Sequence, residues 1–165
     1  MTPRVEKKDK CFMISIDVDG REVSILIDCN AFSAKALSSK YELTEETKKL
    51  PNGTIVYRIR ALKDIPEIGV RKGDLGGWIQ SERNLSHEGT CWVGEDAIVY
   101  GQAQIFGNAQ AYGQAQIYGH AQVFGDARVF GNALIYERAK VYGEAMVCSS
   151  AILTEDSHVY SGRYA

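Results

Sequence analysis

The chain has 165 residues, of which 45% are hydrophobic and 24% charged, and its formal net charge is −2 at pH 7. These values are ordinary for a folded soluble protein of about one domain, and they give no general case for binding double-stranded nucleic acid or an anionic membrane. Because no apolar run approaches the ~20 residues that span a bilayer, and residues 1–10 lack the apolar core of a signal peptide, we expect a cytoplasmic protein with no membrane contact.

Residues 11–28 predict a β-hairpin. Asp19-Gly20 suits the tight turn, and apolar residues occupy every second position on both arms. Asp17-x-Asp19-Gly20 also resembles the start of an EF-hand calcium loop, but the later ligands of such a loop are missing, so turn chemistry explains it better. The alternating residues are Phe12, Ile14, Ile16 and Val18, then Val23, Ile25 and Ile27.

Two short helices are expected after the hairpin. Asn30 can cap a helix over residues 31–40, and a second helix is predicted from Thr44 to Leu50, where Pro51-Asn52-Gly53 makes a turn. A strand over residues 54–62 then completes a small α+β unit, residues 1–62. The strand should place Ile55, Tyr57 and Ile59 on one face and Val56, Arg58 and Arg60 on the other.

A lead-in segment rich in glycine and proline, residues 63–78, separates this unit from a repeat that fills residues 79–165. Within the repeat, a small residue recurs at every sixth position from Ala97 to Ala151. An aliphatic residue follows two places later, and then an aromatic residue, glycine and a polar residue. A helix cannot keep one face with a period of six, whereas extended segments joined by Gly corners can. The repeat therefore predicts a coil of short strands with branched aliphatic side chains stacked inside.

The hexads resemble the hexapeptide-repeat family, whose motif aliphatic-Gly-x-x-small-x is matched by Val93-Gly94-Glu95-Asp96-Ala97-Ile98. The fold of that family implies a mainly β protein: here a left-handed parallel β-helix preceded by the small α+β unit. It also implies three strands per coil, so that residues about eighteen apart stack at ~4.8 Å. The inner ladders would be Val99, Ile117, Ile135, Leu153; Ile105, Val123, Val141, Val159; and Ala111, Val129, Val147.

Aromatic residues should form outer ladders, which are interpreted either as packing or as a surface for a ligand or partner. They are Tyr100, Tyr118, Tyr136; Phe106, Phe124, Tyr142, Tyr160; and Tyr112, Phe130. A second resemblance, carried by residues 60–66, 72–78 and 86–92, is to phage- and bacterium-encoded hexapeptide-repeat proteins that are loosely labelled transferases. That label follows the fold, and fold alone does not establish chemistry.

The resemblance makes histidine the residue to test for catalysis, because hexapeptide-repeat enzymes are commonly acyltransferases with a histidine base between subunits of a trimer. His120 occupies a polar corner position and His158 a frayed C-terminal turn, which leaves His87, beside Glu88, as a weak candidate base. The zinc enzymes of the family need three histidines from neighbouring coils, and these three do not offer that spacing. We therefore expect neither a metal nor a cofactor.

Basic and aromatic residues concentrate before the clear repeats, a combination that suits a small anionic ligand with a flat ring, such as a nucleotide. The alternative is that they are solvated charges and junction packing. The candidate ligand-binding residues are Arg58, Arg60, Lys63, Arg71, Lys72, Trp78, Arg83 and Trp92.

One outer face of the predicted coil is apolar enough that we expect another protein surface to bury it. A homotrimer, as the resemblance implies, would provide it, and so would docking of the N-terminal unit. The candidate interface residues are Ile98, Tyr100, Gln116, Tyr118, Leu134, Tyr136 and Ile152.

Three functions remain open at this point. The leading hypothesis is a non-enzymatic trimeric module, of phage origin or context, that binds a small anion or a protein partner at subunit interfaces. The second is an acyl-CoA-dependent acyltransferase that uses His87, and the third is a structural spacer.

Overall fold

The computed structural model describes residues 4–8, 11–18, 21–28 and 39–165. Contacts divide the chain into two units, Met1–Ser39 and Lys40–Ala165. The first unit holds a three-stranded antiparallel sheet in the order β1-β2-β3, formed by β1 (Arg4–Lys8), β2 (Cys11–Val18) and β3 (Arg21–Asp28). Strands β2 and β3 pair from Cys11↔Asp28 to Val18↔Arg21, which confirms the predicted hairpin. The predicted turn at Asp19-Gly20 and nearly all of the helix predicted over residues 31–40 lie outside the described residues.

The second unit begins with three longer strands, β4 (Tyr41–Lys49), β5 (Ile55–Ala61) and β6 (Leu75–Ile79). Two-residue strands follow. They are β7 (Trp92–Val93), β8 (Ile98–Val99), β9 (Gln104–Ile105), β10 (Gln110–Ala111), β11 (Gln116–Ile117), β12 (Gln122–Val123), β13 (Arg128–Val129), β14 (Leu134–Ile135), β15 (Lys140–Val141), β16 (Met146–Val147), β17 (Ile152–Leu153), β18 (His158–Val159) and β19 (Arg163–Tyr164).

The helix predicted from Thr44 to Leu50 is wrong, because residues 44–49 belong to strand β4. It pairs antiparallel with β5 from Tyr41↔Ala61 to Lys49↔Ile55, across a turn at Pro51-Asn52-Gly53. Its run of Glu, Thr and Lys residues shows no apolar alternation that would predict a strand, so pairing with β5 determines its conformation. The helices among the described residues are 3₁₀ turns, Pro66–Ile68 and Glu82–Asn84, and none is long and apolar enough to cross a bilayer.

The remaining strands wind into a β-solenoid of about five turns. Its parallel strands form three sheets, in the orders β19-β16-β13-β10-β7, β18-β15-β12-β9 and β17-β14-β11-β8-β6. The last sheet continues antiparallel into β5 and β4, so residues 40–61 extend one wall of the coil. Register places Val123 against Val141 and Gln110 against Arg128, as the repeat predicts. The first parallel pairing is that of β6 with β8, so strand β6 (Leu75–Ile79) already belongs to the coil.

A single apolar column fills the coil. The residues of the predicted inner ladders are buried, except Leu153, which is partly buried near the C-terminal end. The aromatic ladders lie outside it and stack with ring centroids 4.8–5.1 Å apart along most of their length.

The corners turn through left-handed backbone. Gly119, for example, has φ +70°, and a Cβ there would lie 2.8 Å from the backbone nitrogen of Glu137 in the next coil. At two such corners, an acidic side chain accepts a hydrogen bond from a backbone amide of the next coil. Glu95 (φ 53°) accepts a hydrogen bond from the Gly113 amide at 2.7 Å, and Glu137 (φ 56°) accepts one from the Glu155 amide at 2.8 Å.

Candidate functional site

The outer face of β5 and β6 carries the densest group of predicted ligand residues. Trp78 is 6% exposed and packs with Leu50, Val56 and Ile98 in a small cluster separate from the main core. The Arg58 guanidinium carbon lies 5.1 Å from the centre of the Trp78 ring. Val56 and Arg58 thus share a face, as predicted, but Ile55, expected to share the apolar face with Ile59, is 48% exposed.

Cations gather on the Trp78 indole, which suits the negative face of an aromatic ring. Lys48 Nζ lies 5.7 Å from the ring centre, in addition to Arg58. Two donors in this cluster, Arg58 Nε and Trp78 Nε1, are buried and have no hydrogen-bond acceptor within the described part of the chain. A buried donor without an acceptor costs about 1–3 kcal/mol, so such groups call for an explanation.

The other predicted ligand residues are not brought to this cluster. Arg60 forms an ion pair with Glu42 at 3.5 Å, with both side chains about half exposed. Lys63, Arg71 and Lys72 are exposed in the lead-in segment. The amides of Arg71 and Lys72 donate to the carboxylates of Asp74 and Asp64, both at 2.8 Å. Trp92 belongs to the sheet of β7 and β10, whereas Trp78 belongs to the sheet of β5 and β8. Arg83 lines a shallow depression with Phe106 and Gln104.

His87, the candidate base, takes part in closing the first turn of the coil. Its Nδ1 accepts a hydrogen bond from the Lys40 amide at 3.1 Å, and its ring stacks on Tyr41 with centroids 4.3 Å apart. The Tyr41 hydroxyl donates to the Leu85 carbonyl at 2.7 Å. His87 Nδ1 is therefore occupied as an acceptor from backbone, which does not suit a general base at that atom.

A buried lysine completes this closure. Lys40 is 0% exposed, and its Nζ donates to the Cys91 carbonyl at 2.6 Å and lies 3.1 Å from the Cys91 thiol. It also reaches the carbonyls of Gly89 and Glu88 at 3.3 and 3.4 Å. Burial lowers the pKa of Lys40, while the Cys91 thiol beside it opposes that shift. The one available signal was Cys91, which replaces alanine in its ladder.

The predicted interface residues divide into a covered and an open part. Ile98 is 7% exposed beneath Leu50, Val56 and Trp78, and Tyr100 packs against this cluster. Farther along the same sheet, Gln116 is exposed, Leu134 is half-buried and Ile152 is 58% exposed. Tyr118 stacks on Tyr100 at 5.0 Å and on Tyr136 at 5.1 Å. The β4–β5 hairpin thus covers the start of this face and leaves its later coils open.

No three His, Cys, Asp or Glu side chains among the described residues are grouped so that they could hold a metal ion. His120 is exposed at its corner, and His158 contacts the edge of the Tyr142 ring at 6.5 Å.

Comparison with known proteins supports the fold of the coil. The model of a protein family described as "YdcK Beta solenoid repeat" matches residues 121–137, about one turn of the solenoid. The search of curated proteins finds no match. The chain is therefore a β-solenoid, similar over residues 121–137 to the YdcK solenoid repeat.

Proposed function

We propose that the chain is a non-enzymatic binding module, a homotrimeric left-handed β-helix of the hexapeptide-repeat class, which binds a small anion such as a nucleotide at Arg58 and Trp78. The observation that carries this proposal is the pair of buried donors, Arg58 Nε and Trp78 Nε1, without an acceptor among the described residues. A phosphate or carboxylate supplies acceptor oxygens and a compensating negative charge together.

The surroundings of Arg58 favour an anion with a flat ring. The guanidinium already lies against the Trp78 indole, and exposed Lys48 approaches the same ring at 5.7 Å. If Lys48 swings away, a planar base can contact the indole while the phosphates meet the two cations. Phosphates paired with guanidinium groups form the stronger, charge-assisted hydrogen bonds.

The trimer is supported by the apolar residues that the β4–β5 hairpin leaves open. Leu134, Ile152 and the Tyr118–Tyr136 ladder form a strip next to the Arg58–Trp78 cluster, on the same sheet. Contact between copies along this strip would exclude water from apolar surface, and it would bring the anion site to the edge of a subunit boundary.

Calorimetry with ADP, inorganic phosphate and uncharged adenosine tests the ligand proposal. ADP should bind, inorganic phosphate should bind more weakly than ADP, and adenosine, which has no phosphate, should have only a small part of the affinity of ADP. Arg58→Met keeps an unbranched chain on the indole but removes the charge, and we expect at least a tenfold loss of ADP affinity. Arg83→Met is the matched control, because Arg83 lies with Phe106 on another part of the coil.

The same experiment separates the remaining alternatives. An equal loss in both arginine variants, or no ADP binding at all, rejects the Arg58–Trp78 site. The acyltransferase alternative has less support, because His87 Nδ1 accepts from the Lys40 amide and its ring packs on Tyr41. Acyl-CoA turnover that disappears in His87→Ala would nevertheless favour it. If none of these ligands binds, the remaining alternatives are a structural spacer and a module that binds a protein partner.

A further inference from the structure

One outer aromatic ladder is interrupted at its first position. In the sheet of β7, β10, β13 and β16, the ring positions follow each strand and are occupied by Gly94, Tyr112, Phe130 and Cys148. Tyr112 and Phe130 stack almost in parallel, with centroids 5.0 Å apart and planes inclined by 2°. Because Gly94 has no side chain, the other face of Tyr112 has no ladder neighbour in the coil before it.

The missing ring leaves a groove of 440 Å³ beside Gly94. A Cβ at Gly94 would lie 3.6 Å from Trp92 Cδ1, 3.8 Å from Trp92 Nε1 and 3.8 Å from Tyr112 Cβ, all ordinary contact distances. A ring in the groove would therefore contact the Trp92 indole and the Tyr112 ring together. The opposite wall comes from the lead-in segment, which contributes Ile68, Val70 and Leu75.

The charged side chains of this groove are acidic. Asp74 and Glu95 line it beside the uncharged Gln110, and no lysine or arginine among the described residues does so. Both carboxylates are held in place by backbone amides: Glu95 accepts from Gly113 at 2.7 Å and Asp74 accepts from Arg71 at 2.8 Å. Each carboxylate has further lone pairs for a ligand donor. Burial raises the pKa of Tyr112; the positive charge of nearby Arg128 opposes this shift, and the negative charge of Glu95 adds to it.

From this geometry we propose that the groove binds a small aromatic cation, an amidinium or a protonated amine on a flat ring. The ring takes the vacant place in the ladder above Tyr112, and the cation meets Glu95 and Asp74. A concave, mostly apolar site with a few fixed polar groups is the usual form of a small-molecule pocket. This site lies on a different sheet from Arg58 and Trp78, and it has the opposite charge preference.

Three probes of nearly the same shape test the charge preference: benzamidine is cationic, benzamide neutral and benzoate anionic. Each is titrated into the 165-residue chain while backbone amide shifts are followed by NMR. Benzamidine should shift the amides of Gly94, Glu95 and Gly113, with at least tenfold higher affinity than benzamide. Benzoate should leave these amides unchanged. Equal affinities for benzamidine and benzamide, or no shifts with benzamidine, would overturn the proposal.

Two variants test the position of the ring. Gly94→Tyr restores the ladder and fills the groove, and its backbone is not left-handed, so the variant should raise Tm and abolish benzamidine binding. Glu95→Gln keeps an acceptor for the Gly113 amide but removes the charge, and it should lower the affinity for benzamidine at least fivefold.

Glu137→Gln is the matched control. Glu137 is also a left-handed corner residue that caps the amide of the next coil, but it follows Tyr136 rather than a glycine. Its substitution should leave benzamidine affinity unchanged. Benzamidine that binds Gly94→Tyr as well as the unaltered protein would show that the ligand occupies another site. Should Gly94→Tyr fail to fold, an equal affinity of Glu95→Gln and Glu137→Gln would reject the proposal on its own.

Discussion

Replacing the corner residue Gly119 with alanine should destabilise the coil more than the same replacement at Gly69. The two glycines have nearly the same backbone conformation, with φ +70° and +72°. Each alanine therefore bears the cost of a left-handed residue, about 1–2 kcal/mol. A Cβ at Gly69 would meet nothing within 4 Å, whereas at Gly119 it would lie 2.8 Å from the nitrogen and 3.1 Å from the Cα of Glu137.

The backbone of Glu137 cannot move away from Gly119 freely, because the Glu137 carbonyl accepts a hydrogen bond from the His120 amide at 2.6 Å. Forcing these coils apart adds an overpacking cost of about 1–3 kcal/mol, so Gly119→Ala should lose about 2–5 kcal/mol in total. Equilibrium urea unfolding, followed by far-UV circular dichroism, measures both variants against the unaltered chain. A loss at Gly119 no larger than that at Gly69 would refute the reasoning, and would mean that the coil spacing relaxes around an added methyl group.

Three further predictions concern closure and assembly. Because burial lowers the pKa of Lys40 below 10.5, the unfolded chain binds more protons between the two pKa values. Stability should accordingly rise as the pH increases toward 10.5, and urea unfolding should show less of this rise in Lys40→Met. His87→Ala, which loses the acceptor for the Lys40 amide, should cost about 1–3 kcal/mol in the same assay and leave ADP affinity unchanged. Leu134→Glu should convert the proposed trimer to monomers by light scattering, while Gln122→Glu on another sheet should not. A trimer that survives Leu134→Glu would place the interface elsewhere.

The coil could be predicted from sequence because its contacts repeat at one fixed separation. Val123 pairs with Val141 and Asn108 donates to Asp126, each eighteen residues apart. One hexad therefore predicts its neighbours, including which side chains face inward. Strand β4 could not be predicted in this way, since its Glu, Thr and Lys residues carry no repeat and its conformation depends on β5.

The sites were predictable only in part, for a related reason. Arg58 and Trp78 were both candidates, and adjacent strands bring them together. Trp92 was grouped with them by composition, but it lies on another sheet because it does not fall one full turn after Trp78. Lys40 lies before the repeat and contacts residues 47–51 positions away, so the repeat period did not predict its burial, and Cys91 in place of alanine was the one signal. The groove at Gly94 did have a signal, since later hexads carry an aromatic residue at that position.

The uniform register has a consequence for how such a chain can change length. Each coil presents its neighbours with the same edge, so excision of residues 112–129 would seat Phe130 where Tyr112 had been and join Ala111 to it without altering the phase of any strand. A deletion whose length is not a multiple of eighteen residues would instead move every later side chain to a different sheet or a different face of its sheet. The solenoid can therefore be lengthened or shortened by whole turns, and each such change leaves the residues at both of its ends unaltered.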